Sequence, residues 1–125
     1  MDEISGVSHL HIQDTTPGSA LSTISNENLI KTATGHSVIW KEGVATMTID
    51  DFSDSIGKNP TMIKIDVDGN ELSILKGGDK TFKNPKLKTI FIEVGLKTNG
   101  CEGMLSDFGF TLKNKFVENQ IWERT

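Results

Sequence analysis

An α/β fold is predicted for this chain, and three features of its second half predict it. A strand over residues 62–67, Met62-Ile63-Lys64-Ile65-Asp66-Val67, runs through Gly69 into a helical start at Asn70 and Glu71. A second strand over 87–94 is continuously apolar at Ile90-Phe91-Ile92, the pattern of a strand covered on both faces. The chain closes on two β-like runs, 110–116 and 120–123, that read as an antiparallel pair across Val117-Glu118-Asn119. Strand, helix, buried strand, helix and hairpin together describe half of an α/β sheet with an antiparallel edge. One domain over 1–125 is expected at this length, and 34 of the 125 residues are Leu, Ile, Val or Phe, enough for a core.

The first third is rich in Ser, Thr, Gly and Asn. Residues 7–13 alternate, with Val7, His9 and His11 on one face and Ser8, Leu10 and Ile12 on the other, as a half-buried strand does. Residues 14–25, turning at Pro17-Gly18, read as loop. Two short runs, Val38-Ile39-Trp40 and residues 44–48, flank a turn at Glu42-Gly43. Thr48 or Asp50 is placed to cap a short helix over 51–56 that Gly57 ends. In the second half, Asn70 is an N-cap for a helix carrying Leu72, Ile74 and Leu75, with Glu71 near the positive end of its dipole. Gly77-Gly78 breaks that helix, a further turn carries Phe82, and a short helix around Met104, Leu105 and Phe108 closes at Gly109.

Charge and composition exclude several classes. Thirteen basic against seventeen acidic residues leave a net charge of −4, unlike a nucleic-acid binder with its basic face. The single Cys101 rules out an intramolecular disulfide and a multi-cysteine zinc site. With no signal peptide and no apolar run near the roughly 20 residues a membrane span needs, a cytoplasmic, membrane-free protein is expected.

Chemistry is expected where the 62–67 strand meets its helix, because open α/β sheets bind ligands outside the carboxyl ends of their strands. Asp66 and Asp68 stand there with Gly69, Asn70 and Glu71. A calcium loop of EF-hand type fails, since Glu71 occupies the position of the required glycine and Gly77 that of the bidentate glutamate. An Asp-x-Asp phosphoryl or glycosyl transferase with a bound metal remains an alternative, although only 56 residues follow Gly69 to supply further ligands.

The string Lys64-Ile65-Asp66-Val67-Asp68-Gly69-Asn70-Glu71, followed by Leu75 and Gly77, resembles the Lys-Ile-Asp-Val-Glu-Gly-x-Glu signature of FkbM-type methyltransferases. Thr48-Ile49-Asp50-Asp51-Phe52 is similar to that family's Thr-Leu-Asp-Asp-Phe, Ile90-Phe91-Ile92-Glu93 to its next strand, and Gly18-Ser19-Ala20-Leu21 to its Gly-Ser-Ser-Leu loop. Asp68 departs from the usual glutamate and Gly78 from the usual alanine. The resemblance implies an S-adenosylmethionine-dependent O-methyltransferase on a Rossmann-like sheet, acting on a hydroxyl of a sugar or small metabolite. It implies catalytic roles for Asp66, Asp68 and Glu93, with Lys64, Gly69 and Glu71 supporting them through an ion pair or a helix-start contact, and no metal.

The family's glycine-rich cofactor turn has no clear counterpart. Phe91-Ile92-Glu93-Val94-Gly95 resembles its opening, but Lys97 and Asn99 stand where further glycines belong. As a phosphate loop, Gly95 and Gly100 are spaced correctly but Cys101-Glu102 replaces the Lys-Ser/Thr pair. The expectation is therefore the C-terminal half of the family's domain, a partial sheet without its N-terminal cofactor-binding half: a fragment, one half of a split enzyme, or a remnant acting as a non-catalytic interaction module. A sheet cut in this way exposes an edge strand, so self-association or pairing with a separate N-terminal half is expected.

The remaining features have plain readings. His9 and His11 share one solvated strand face, His36 lies in a loop, and Cys101 is an inert thiol, although a helix start would lower its pKa. Lys76, Lys80, Lys83, Lys86 and Lys88 are solvated, and Trp40 and Trp122 are packing residues.

Overall fold

A computed structural model describes residues 1–17, 22–27, 30–31, 37–95 and 99–125. The Gly18-Ser19-Ala20-Leu21 string, His36 and Lys97 lie outside these residues. Eleven elements follow in order among the described residues: β1 (Gly6–Ile12), β2 (Thr23–Ser25), β3 (Trp40–Thr46), α1 (Ile49–Ile56), β4 (Met62–Ile65), α2 (Glu71–Lys76), α3 (Asp79–Lys83), β5 (Thr89–Glu93), α4 (Cys101–Asp107), β6 (Phe110–Phe116) and β7 (Asn119–Arg124).

The first third is more regular than its composition suggests. β1 is the centre of a three-stranded antiparallel sheet, order β2-β1-β3. β2 lies within the segment expected to be loop, pairing Leu10 with Ile24. β3 runs straight through the expected turn, with Gly43 opposite His9. A glycine between two short β-like runs reads as a break, yet an extended glycine in a ladder needs no turn. Burial does not follow the two-residue period either: Ser8 and His11 are buried while Val7 is exposed.

The second half forms a mixed sheet in the order β4-β5-β7-β6. β4 and β5 are parallel, with Ile65 opposite Ile92, and β5 and β7 are antiparallel, with Ile90 opposite Trp122. The β6–β7 hairpin turns where the sequence placed it, through Val117 at φ 58. One core cluster lies on the face carrying Ile65, Ile90, Ile92 and Trp122, filled by Leu75, Phe82, Leu87, Leu105 and Phe108. Phe82 stacks on Phe108 with ring centroids 5.4 Å apart. Each of these large apolar side chains contributes roughly 1.5–3 kcal/mol by leaving water. Phe91 on the opposite face is only half-buried, so β5 is closed on one face rather than both.

The helices are joined by their caps. Thr48 Oγ1 accepts the Asp51 N–H at 3.0 Å and so caps α1, which ends at Gly57. Asp50, the other predicted cap, serves a different helix: its carboxylate accepts the N–H groups of Lys80 at 3.0 Å and Thr81 at 2.7 Å, at the start of α3. Asn70 precedes α2, but its side chain donates to the Met1 carbonyl at 3.1 Å instead of capping. Gly78 sits where a Cβ would come within 2.3 Å of Ile49 Cγ2 and 2.4 Å of the Phe82 ring.

Candidate functional site

The site is built at the carboxyl ends of the two parallel strands. Because Ile65 pairs with Ile92, Asp66, the first residue beyond β4, comes beside Glu93, the last residue of β5, and their carboxyls hydrogen-bond to each other. The chain then turns through Asp68 to Gly69, whose φ of 101 is a conformation that side chains other than glycine's rarely accept. Gly69 N–H donates to the Val67 carbonyl at 2.9 Å and to Glu71 Oε1 at 3.2 Å. Glu71 is 2% exposed, and its Oε2 has no hydrogen-bond partner among the described residues. Its carboxylate ties the turn to the first residue of α2. Lys64 Nζ lies 2.7 Å from Asp66 Oδ2, with both side chains well exposed, so this pair adds little stability but holds the Asp66 carboxylate.

The two acids are driven apart in proton affinity. Lys64, through its hydrogen bond and its charge, and the hydrogen bond from Glu93 hold Asp66 below the usual carboxylate range. Glu93 is pushed up by its hydrogen bond to Asp66, by desolvation, and by the negative charges of Asp66, Glu118 and Asp68. Of the two, Asp66 is therefore the more readily ionised and Glu93 holds its proton the more tightly.

A cleft of about 380 Å³ opens over this turn, lined by Asp66, Val67, Asp68, Gly69 and Asn70 on one side and by Leu10, Thr23 and Ile24 on the other. The structure thus brings Asp66, Asp68 and Glu93 together, with Lys64, Gly69 and Glu71 adjoining them. The opposite wall, from β1 and β2, was not anticipated, since β2 read as loop and nothing in its three residues marks it as lining a site. Among the described residues no group of three or more His, Cys, Asp or Glu is placed to hold a metal ion.

The other singled-out residues lie elsewhere. His11 is fully buried rather than on a solvated face, with Nε2 3.3 Å from the Ser25 carbonyl. Cys101 opens α4, yet burial and the negative charges of Glu71 and Glu102 push its thiol up to about 11, the reverse of what a helix start alone predicts. Trp122 is a packing residue whose Nε1 donates to Gln120 Oε1 at 2.8 Å, whereas Trp40 is 61% exposed and packs little. Lys76, Lys80 and Lys83 pair with Glu3, Asp54 and Asp79.

The sequence model of the methyltransferase FkbM domain matches residues 3–114. No curated protein matches the chain, and no solved structure does. The family match takes in β1, β2 and β3 and so covers nearly the whole chain. This corrects the expectation of a C-terminal half alone and of a partial sheet without its N-terminal half: the fold is α/β with a mixed sheet, matched along almost all of its length. The expectation rested on the lack of a glycine-rich turn, and a match that runs through β1, β2 and β3 overturns the inference from that missing motif to a missing N-terminal half.

Proposed function

The chain belongs to the family of methyltransferase FkbM domains, and from that premise we propose that it is an O-methyltransferase using S-adenosylmethionine and acting on a hydroxyl of a sugar or other small metabolite. The observation that carries this reading is the Asp66–Glu93 carboxyl pair, whose Asp66 lines the cleft. The lining fits the cofactor in charge and size: Asp66 and Asp68 offer carboxylates to a cationic ligand with ribose hydroxyls, and Leu10, Ile24 and Val67 offer apolar wall to an adenine. About 380 Å³ falls within the range of small-ligand sites. When bound, S-adenosylmethionine supplies an electrophilic methyl group.

The chain's own residues supply orientation and proton handling. Asp66, anionic and held by Lys64, is suited to accept a hydrogen bond from the acceptor hydroxyl and fix its direction. A carboxylate of lowered pKa is a poor proton sink, and Glu93, with its raised pKa, is the stronger base once it has lost its own proton. Gly69 and Glu71 act as positioning residues, since the turn they fix sets where Asp66 and Asp68 emerge. A reducing, cytoplasmic setting suits the buried free thiol of Cys101. No helix among the described residues is long and apolar enough to cross a membrane.

The test is transfer of labelled methyl from S-adenosylmethionine to a panel of sugars and small alcohols, with calorimetric titration of the cofactor. Wild type is expected to bind and transfer, and Asp66→Asn and Glu93→Gln are each expected to lose on the order of 100-fold in rate with unchanged circular dichroism. Undiminished transfer in both variants removes the carboxyl pair from the mechanism, and neither binding nor transfer in wild type overturns the assignment.

A further inference from the structure

Trp40, the first residue of β3, is 61% exposed. Exposed apolar area of this size carries information where polar groups surround it. Trp40 lines a hollow of about 430 Å³ with Leu10, Ile12, Asp14, Ser22 and Glu42. Leu10 and Ser22 also line the cleft at Asp66, so the two hollows adjoin. The strand register explains why. Residues directly opposite in an antiparallel pair share a face of the sheet, and so do residues two apart along one strand. Leu10 stands opposite Ile24 of β2 and Glu42 of β3, and Ile12 stands opposite Trp40. One face of the sheet therefore carries Ile24 and Leu10 at the cleft and continues through Glu42 and Ile12 to Trp40.

We propose that this face is an acceptor subsite, on which one ring of an oligosaccharide stacks against Trp40 while another ring presents its hydroxyl at Asp66. The inference rests on the methyl-transfer reading and narrows its acceptor to neutral saccharides of two or more units. A sugar ring has a face of C–H groups and a rim of hydroxyls. The indole offers a flat apolar surface to the first. Asp14, Glu42 and the hydroxyls of Thr15, Thr16 and Ser22 stand around the hollow for the second. Asp14 is held in place, because its Oδ1 accepts the Thr16 N–H at 2.9 Å and the Thr16 hydroxyl at 2.7 Å. Hydroxyl side chains both donate and accept, as sugar hydroxyls do, whereas an ammonium ligand only donates and calls for acceptors alone. The two carboxylates repel an anionic acceptor such as a sugar phosphate. Length follows from the sheet: Trp40 lies one strand and two residues from Leu10, about 8 Å by ordinary strand spacings, and the cleft runs on from Leu10 to Asp66. One sugar ring does not span that run, so the ring on Trp40 and the reacting hydroxyl belong to different units.

NMR of the indole N–H resonances in the full chain reads the subsite directly. Trp122, 4% exposed and bonded to Gln120, is the internal control. The probes are maltotriose, cellotriose, mannotriose and tri-N-acetylchitotriose, with glucose and tetramethylammonium beside them. The Trp40 resonance is expected to shift with at least one trisaccharide while Trp122 stays in place, and glucose is expected to bind at least tenfold more weakly. By calorimetry, Trp40→Ala is expected to weaken trisaccharide binding at least tenfold, Trp40→Phe to recover part of it, and Glu42→Gln, whose amide still bonds hydroxyls, to keep most of it. A Trp40 resonance that no trisaccharide moves overturns the proposal, as does one moved by tetramethylammonium alone, glucose bound as tightly as the best trisaccharide, or Trp40→Ala binding as wild type does. Titration of S-adenosylmethionine separates the two readings. Cofactor binding without saccharide binding strikes the subsite and leaves the methyl-transfer reading, and saccharide binding without cofactor binding does the reverse.

Discussion

Asp66 and Glu93 differ in proton affinity because one has a cation beside it and the other does not. Lys64 stabilises the Asp66 anion, and Asp66 in turn opposes ionisation of Glu93. Because Glu93 must be ionised to act as a base, the rate is expected to rise with pH through its raised value and to fall below it, where the carboxyl is protonated. Removing the neighbouring charge is expected to lower that value: in Asp66→Asn, carbon NMR of the Glu93 carboxyl is predicted to titrate at lower pH than in wild type, and an unmoved titration removes Asp66 as the cause. The motif containing Asp66, Asp68, Gly69 and Glu71 was legible in the sequence, as was the placement of Glu93 near it, because both follow from where parallel strands end. The burial of Glu71 was not, since a carboxylate after a glycine and an asparagine reads as a solvated helix start.

At the scale of elements, the chain from α1 to α3 works as a linked pair of helix starts. Thr48 caps the helix it precedes, and Asp50, within that same helix, caps α3. This link requires close approach, which Gly78 permits by leaving room for the Ile49 side chain and the Phe82 ring. Gly78→Ala is expected to destabilise the chain by about 1–3 kcal/mol, because a buried Cβ must displace two well-packed core groups. Urea denaturation measures this, and an unchanged midpoint shows that Ile49 and Phe82 can yield. The residue at which this chain departs from its family's usual alanine is therefore one where its own packing leaves no space for a methyl group. Helix positions were readable from caps and glycines, but which helix Asp50 caps depends on a contact 30 residues away.

Over the whole molecule, the last strand closes the core through Arg124. Its guanidinium donates to the carbonyls of Leu87 at 2.8 Å, Phe108 at 2.9 Å and Phe82 at 2.5 Å, and lies 4.3 Å from the centre of the Phe110 ring. It thereby joins α3, the approach to β5 and the end of α4. Arg124→Met keeps the length of the side chain but leaves these carbonyls without their donor, at an expected cost of about 2 kcal/mol, read as a lowered Tm. A variant as stable as wild type would show that solvent replaces the guanidinium without loss. Nothing in a terminal Trp-Glu-Arg-Thr run suggests this role, because it depends on three carbonyls brought together by folding. By itself the sequence determined the α/β class, the strand-to-helix turn bearing the acids, the C-terminal hairpin and the family resemblance, since these rest on local period, turn chemistry and contiguous motifs. Only the tertiary structure decided that the polar first third pairs into a sheet walling the cleft, that β5 is covered on one face, and that the Asp66 and Glu93 carboxyls meet and shift in opposite directions. Each of these depends on groups far apart in sequence, whose burial and proximity no local pattern records.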